Sequence, residues 1–316
     1  MPPRIISNTE IQTALRSVHS LGAMEAAFAA YSEGRAVVPP VGELLFEDPP
    51  GDAHIKYGYV RGGEHFLVKV ASGFYKNPEI GLPSSSGLML LFEQRTGAPK
   101  AVLLDDGLLT DVRTAAAGAT AAKHLARSGV ERIGIVGAGI QARLQLNHIA
   151  KAISYRSALI WGRNRDRARL LVEDLREFGL GLDIAESISE LAANCDVIVT
   201  TTPSTTPLLS REHVRPGMLI IAVGSDTPDK QELDVGVLAM ADLVVADSKA
   251  QCLTRGEIHH AIRAGVIAET DIVELGDIIR GVRPGRRSDE EVIVADLTGV
   301  AVQDIFIAEA VLQALA

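Results

Sequence analysis

The run IGIVGAGIQA (133–142) places Gly137, Gly139 and Ala142 in the spacing G-x-G-x-x-A, directly after an apolar strand-like run and at the start of a helical pattern. Gly137 permits a tight turn, Gly139 lets main chain approach a pyrophosphate, and Ala142 lets helix and strand pack closely, while the helix N-terminus faces the phosphate charge. The chemistry implied is dinucleotide binding, with an ordinary glycine turn as the alternative. A second run, ALIWGRNRDRA (158–168), ends its strand some 25 residues after Gly137 without the carboxylate that accepts hydrogen bonds from adenosine ribose. Arg163 with Asn164 or Arg165 offers donors matched to a ribose 2′-phosphate, which favours NADP(H), with NAD(H) as the alternative. The competing reading is a solvated helix start in which Asp166 pairs one of the arginines. Lys69 sits in the middle of the apolar alternation HFLVKVAS (65–72), a costly place for an ammonium without an anionic partner.

These residues need elements to position them. The stretch 10–34 repeats apolar residues at helical spacing after an N-cap at Ser7 or Thr9, which predicts one or two packing helices. From about 37 to 105 the pattern is of strands: 54–60 and 65–72 flank RGG, and 87–94 and 99–105 flank RTGA, as in an antiparallel sheet. An Ala-rich helix over 110–126 leads out of this region. Short apolar runs at 132–137, 157–162, 195–202, 217–224 and 242–247 then alternate with helical stretches such as 140–152 and 164–178, the rhythm of βαβ units in a parallel sheet. A last strand at 290–299 precedes an amphipathic C-terminal helix that returns to the first domain.

The chain has 316 residues, 47% hydrophobic and 22% charged, which suits two soluble domains. No apolar run reaches the roughly 18 residues of a bilayer span, and the N-terminus has no secretory h-region. A net charge of −9 with no long basic run argues against nucleic acid as a partner. Cys195 and Cys252 lack metal-ligand spacing and read as buried small hydrophobes in a reducing cytoplasm. His259 and His260 are helix neighbours pointing to different faces, so no metal site is expected there.

The segments 68–126, GAGIQA (137–142) and VGSDTPDKQELD (223–234), taken in order, resemble the ornithine cyclodeaminase and mu-crystallin family over nearly the whole chain. That resemblance implies an α/β fold: a Rossmann-type parallel-sheet domain over 123–296, plus an α+β substrate and dimerisation domain from 1–122 and 297–316. It assigns Asp226 as the catalytic aspartate, with Lys69 beside the substrate carboxylate and reacting carbon. Arg113 is to contact cofactor or substrate anions, with Thr114 after it, and Ser84 or Ser85 to approach the nicotinamide side. Ile140 and Gln141 lie over the pyrophosphate, Thr201 or Thr202 at the strand end under the cofactor, and Val223 and Gly224 in the run leading to Asp226. Lys230 lies near the cofactor, Glu232 holds the loop or pairs with Lys230 at the surface, and Thr298 and Gly299 close the substrate site.

One departure from the family's pattern matters. Family cyclodeaminases carry a carboxylate-clamping arginine about two dozen residues before the strand lysine, and VGELLFED (41–48) offers Glu43 and Leu45 there. Lys56, on a neighbouring strand, is the candidate replacement. The reaction read from all this is hydride transfer at the carbon bearing the nitrogen of a small imino or amino acid. Because NADPH usually serves net reduction, an imine or cyclic imino acid reductase leads. Ornithine cyclodeamination or amino-acid dehydrogenation is the alternative, and a non-catalytic NADPH-binding protein like the mu-crystallins is the third. The partners expected are the small substrate and a second copy of the chain, with neither nucleic acid nor membrane.

Overall fold

Ser7 begins the first helix: its hydroxyl accepts from Glu10 N, and the Glu10 carboxylate accepts from Ser7 N, a reciprocal capping box. The structure, a computed structural model, describes residues 2–74, 76–176, 179 and 181–316. The chain divides into two units, Met1–Arg113 with Val300–Ala316, and Thr114–Gly299. The first boundary falls within the helix Leu108–Leu125, the same helix in which residue 122 was expected to divide the chain.

In the first unit, the helical stretch after Ser7 is two helices, α1 (Asn8–Leu15) and α2 (Ser20–Ser32). Seven strands form one sheet: β1 (Arg4–Ile6), β2 (Ala36–Val37), β3 (Gly42–Glu47), β4 (Pro50–Val60), β5 (His65–Gly73), β6 (Ser85–Glu93) and β7 (Pro99–Leu103). Their order is β1-β7-β6-β5-β4-β2, with β3 on β4. The hairpins are antiparallel as expected, but β1 pairs parallel with β7, so the sheet is mixed. The C-terminal helix (Ala301–Ala314) packs on α2, β4 and β5, with Ala27, Ala30, Val60, Val300 and Val302 forming its apolar seam. Because β-strand side chains alternate in face, Leu67 and Lys69 point the same way as that seam and are fully buried.

The second unit is an eight-stranded, wholly parallel sheet: β8 (Arg132–Val136), β9 (Ser157–Trp161), β10 (Gly181–Ile184), β11 (Val197–Thr200), β12 (Leu219–Ala222), β13 (Leu243–Ala246), β14 (Ile272–Glu274) and β15 (Ile293–Asp296). The order β10-β9-β8-β11-β12-β15-β13-β14 reverses direction between β8 and β11. Such a switch leaves a crevice at the strands' carboxyl ends, where ligands of open α/β sheets bind. Strands β11, β12 and β15 are buried at every position, as a sheet covered on both faces requires. Cys195 and Cys252 are fully buried, and burial pushes the Cys195 thiol up to about 12. The helix expected over 164–178 runs only Arg165–Asp174, and residues 177 and 178 lie outside the described residues. Among the described residues no helix is long and apolar enough to cross a membrane.

Candidate active site

The glycine motif sits where β8 meets the helix Ile140–Ala152, beside the switch point. Gly137 has φ +130, and a Cβ there would lie 2.3 Å from Thr201 Oγ1, so only glycine fits this turn. Gly137 N donates to Trp161 O, and Thr201 Oγ1 donates to Val136 O, tying the turn to both neighbouring strand ends. Gly139 is the helix N-cap with no side-chain cap, and the space over its Cβ position is open. Ala142 is fully buried, Ile140 is exposed, and Gln141 starts the helix beside it. Uncapped helix N–H groups under an open approach fit the pyrophosphate of a dinucleotide. Thr114, in the Ala-rich helix of the same unit, accepts from Gln145 Nε2 through its carbonyl.

At the end of β9 the basic cluster thins. Asn164 caps the following helix, its Oδ1 accepting from Asp166 N and Arg167 N. Arg165 forms a forked ion pair with Glu186, and Asp166 pairs with Arg169. Arg163 is exposed, and no side chain among the described residues pairs with it. Of the three residues expected to meet a 2′-phosphate, one guanidinium is therefore uncommitted.

Glu232 is a buried hub. Its carboxylate accepts from Thr200 Oγ1 (2.7 Å), Thr202 N (2.6 Å), Thr202 Oγ1 (2.8 Å) and Gly224 N (2.9 Å), joining the ends of β11 and β12. Val223, buried, donates to Thr200 O across the same two strands. Glu257 accepts from the main-chain N–H of Glu232 and Leu233, and Asp296 accepts from Ile258 N. Burial raises all three carboxyls, Glu232 to about 7, Glu257 to about 8, and Asp296 well above the carboxylate range. Asp247 accepts from Thr298 Oγ1 and from Gly299 N, fixing the turn after β15. Asp226, about one-third exposed, lies in the loop after β12, with Lys230 Nζ 2.7 Å from its Oδ1.

The first unit contributes a charged cluster under the C-terminal helix. Lys56 and Lys69 stand directly opposite each other on β4 and β5 and are both buried, an arrangement that like charges oppose. Asp304, fully buried, answers them: Lys69 Nζ lies 2.9–3.0 Å from its two oxygens, and Arg113 Nε 3.0 Å from Oδ1. Burial alone would raise the Asp304 carboxyl, but Lys69, Arg113 and Lys56 reverse this and hold it below the ordinary value. Burial lowers the Lys69 ammonium, and Arg113 adds to the effect against Asp304. Arg113 donates to Gln303 Oε1 (2.8 Å), which turns Gln303 Nε2 away, buried and without a hydrogen-bond partner. Lys69 and Arg113 thus both reach Asp304, and the buried Asp105 carboxyl also lies within electrostatic reach of Lys69. A buried group of cations of this kind suits a small carboxylate ligand. Ser84 is half-buried in the loop before β6, and Ser85 is exposed at its first position. Glu43 and Leu45, where the clamp arginine was expected, lie on β3, Glu43 opposite His54 and Leu45 exposed.

A sequence-family model described as the ornithine cyclodeaminase/mu-crystallin family matches residues 2–316. This chain belongs to that family. Within the family it is 43% identical over 287 residues to an uncharacterised cyclodeaminase of Sinorhizobium fredii, covering 90% of this chain and 87% of that protein. The structure of an archaeal alanine dehydrogenase dimer with bound NAD is similar with TM-score 0.90 and 34% identity, over 99% of this chain and 96% of that one. The Thermococcus litoralis Δ1-pyrroline-2-carboxylate reductase, in complex with NADH and L-proline, is similar with TM-score 0.91 and 29% identity, over 98% and 97%. Sequence reading missed Asp304, Gln303, Glu257, Asp247 and Asp296. The signal for the first two was present: AVQDIFIAEAVLQALA sets Gln and Asp side by side in an otherwise apolar helical turn.

Proposed function

We propose that this family member is a nicotinamide-dependent reductase of small imino acids, cyclic imino acids included. The observation that carries the reading is the buried cluster of Lys56, Lys69 and Arg113 on adjoining elements, cations that suit a small carboxylate beside β5. Lys56 takes the place of the missing clamp arginine. Gly137 and Gly139 would hold the pyrophosphate of a nicotinamide dinucleotide, which when bound would supply the hydride for the C=N carbon. Lys56, Lys69 and Arg113 bind the substrate carboxylate. Asp226 supplies the proton that the nitrogen takes up, directly or through water, leaving a carboxylate behind. Thr298 and Gly299, fixed by Asp247, close the substrate site, while Thr201, Thr202, Val223 and Gly224 form the floor under the cofactor. Arg163 favours NADP(H) over NAD(H), although the two solved relatives described above carry NAD or NADH.

The alternative is net amino-acid oxidation or cyclodeamination, favoured by the names of the Sinorhizobium relative and the archaeal alanine dehydrogenase. We further infer a homodimer, as in the latter. Asp226→Asn tests the assigned role: turnover should fall by two orders of magnitude or more, on the scale of about 10²–10⁴ typical of general acid–base catalysis. Cofactor affinity, read by fluorescence titration, should stay within a few-fold. An Asp226→Asn enzyme with near-normal turnover removes Asp226 from the chemistry.

A further inference from the structure

The strands β9 and β10 end level at the outer edge of the parallel sheet: Ile184 stands opposite Ile160, and Ala185 N donates to Ile160 O (3.0 Å). Glu186 follows at once on β10, and Arg165 opens the helix Arg165–Asp174 after β9, so their forked ion pair bridges two neighbouring strand ends. The main chain on both sides is fixed. Asn164 Oδ1 accepts from Asp166 N and Arg167 N, and the Glu190 carboxylate accepts from Glu186 N (2.7 Å) while Ser187 Oγ accepts from Glu190 N. The two side chains, in contrast, are 50% and 68% exposed, so Arg165 can change partner without any backbone moving. The end of β9 also packs directly on the glycine turn, since a Cβ on Gly162 would lie 3.2 Å from Ala138 Cβ. This is the strand end at which dinucleotide-binding sheets read the substituent on the adenosine ribose 2′ position.

Magnitudes decide what the pair can do there. An exposed ion pair shifts an equilibrium by at most about five-fold. A phosphate monoester brings about −1.5 to −2 charges and three acceptor oxygens, against the single charge of a glutamate, and arginine–phosphate forks are among the stronger charge-assisted contacts. Exchange of partner by Arg165 therefore favours the phosphate, at the cost of leaving the Glu186 carboxylate beside another anion. We propose that Glu186 sets the cofactor preference of this protein: it holds Arg165 as a latent ligand for the 2′-phosphate of NADPH, so that NADH binds with the pair closed and NADPH binds with Arg165 re-partnered beside Arg163. This rests on a dinucleotide seated at the β8 turn. Glu186 then opposes NADPH in two ways, by occupying Arg165 and by repelling the phosphate, and opposes NADH in neither.

The test is equilibrium fluorescence titration of NADPH and NADH with the parent, Glu186→Gln, and Glu186→Gln combined with Arg165→Ala; both positions are exposed and remote from the core. Glu186→Gln should raise NADPH affinity by about three-fold or more and leave NADH affinity within two-fold. Adding Arg165→Ala to Glu186→Gln should then lower NADPH affinity by about ten-fold, the scale of one lost hydrogen-bonded charge contact, again without effect on NADH. Unchanged NADPH affinity in Glu186→Gln overturns the proposal. So does a Glu186→Gln gain that survives Arg165→Ala, because Glu186 then acts through its field alone and Arg165 is no phosphate ligand. Failure of the underlying reading looks different: the parent binds neither dinucleotide, whereas a parent that binds both and variants that leave their ratio unmoved defeat only the roles given to Glu186 and Arg165.

Discussion

At the scale of single residues, Arg163 is the member of the expected basic cluster that no side chain among the described residues pairs with. Asn164 is committed to a helix cap and Arg165 to Glu186, because a helix start needs both an acceptor for its first N–H groups and neutralised charge at its edge. Arg163 retains its full donor fork, and a guanidinium matches a phosphate bidentately. Arg163→Ala should therefore lower the ratio of NADPH to NADH affinity by about ten-fold, the worth of one charge-assisted contact of roughly 1.4 kcal/mol. Equilibrium titration with both cofactors checks it. An unchanged ratio assigns cofactor choice elsewhere and withdraws NADP(H) preference. Lys69 shows the same logic in the opposite direction. Its place in an apolar alternation demanded an anion, and Asp304 supplies one on the C-terminal helix.

At the scale of elements, the carboxylates of Glu232, Glu257 and Asp296 underlie the loops that carry the site, with burial raising each. A carboxyl whose folded pKa lies above its unfolded value binds its proton more tightly in the folded state. Stability is then full below the unfolded value near 4.5 and is lost as pH rises through the folded values of about 7 and about 8. Thermal midpoints measured from pH 5 to pH 8 should fall for the parent and fall less for Glu257→Gln. Equal slopes would mean that Glu257 titrates normally. The elements themselves were largely legible: glycine spacing placed the β8 turn, and apolar runs placed the parallel strands. The acid ladder was not, because Glu232, Glu257 and Asp296 come from separate segments, and periodicity cannot say which buried strand ends and helix starts will meet. The parallel pairing of β1 was hidden for a similar reason, since three residues carry almost no pattern.

At the scale of the whole molecule, the first unit's sheet leaves Leu44, Phe46, Tyr57 and Tyr59 exposed on one face. Contiguous apolar surface of this kind is ordinarily covered by another protein surface. The homodimer inferred above covers it if Tyr57→Lys with Tyr59→Lys shifts the mass measured by light scattering from dimer to monomer. A double variant that stays dimeric places the interface elsewhere. The direction of the chemistry is decided by NADPH consumption and ammonia release followed together, with pyrroline-2-carboxylate and then ornithine as substrates. Net imine reduction predicts one NADPH oxidised per imino acid reduced, with no ammonia released from ornithine. Ammonia released from ornithine with no net change in the cofactor contradicts it and makes the protein a cyclodeaminase.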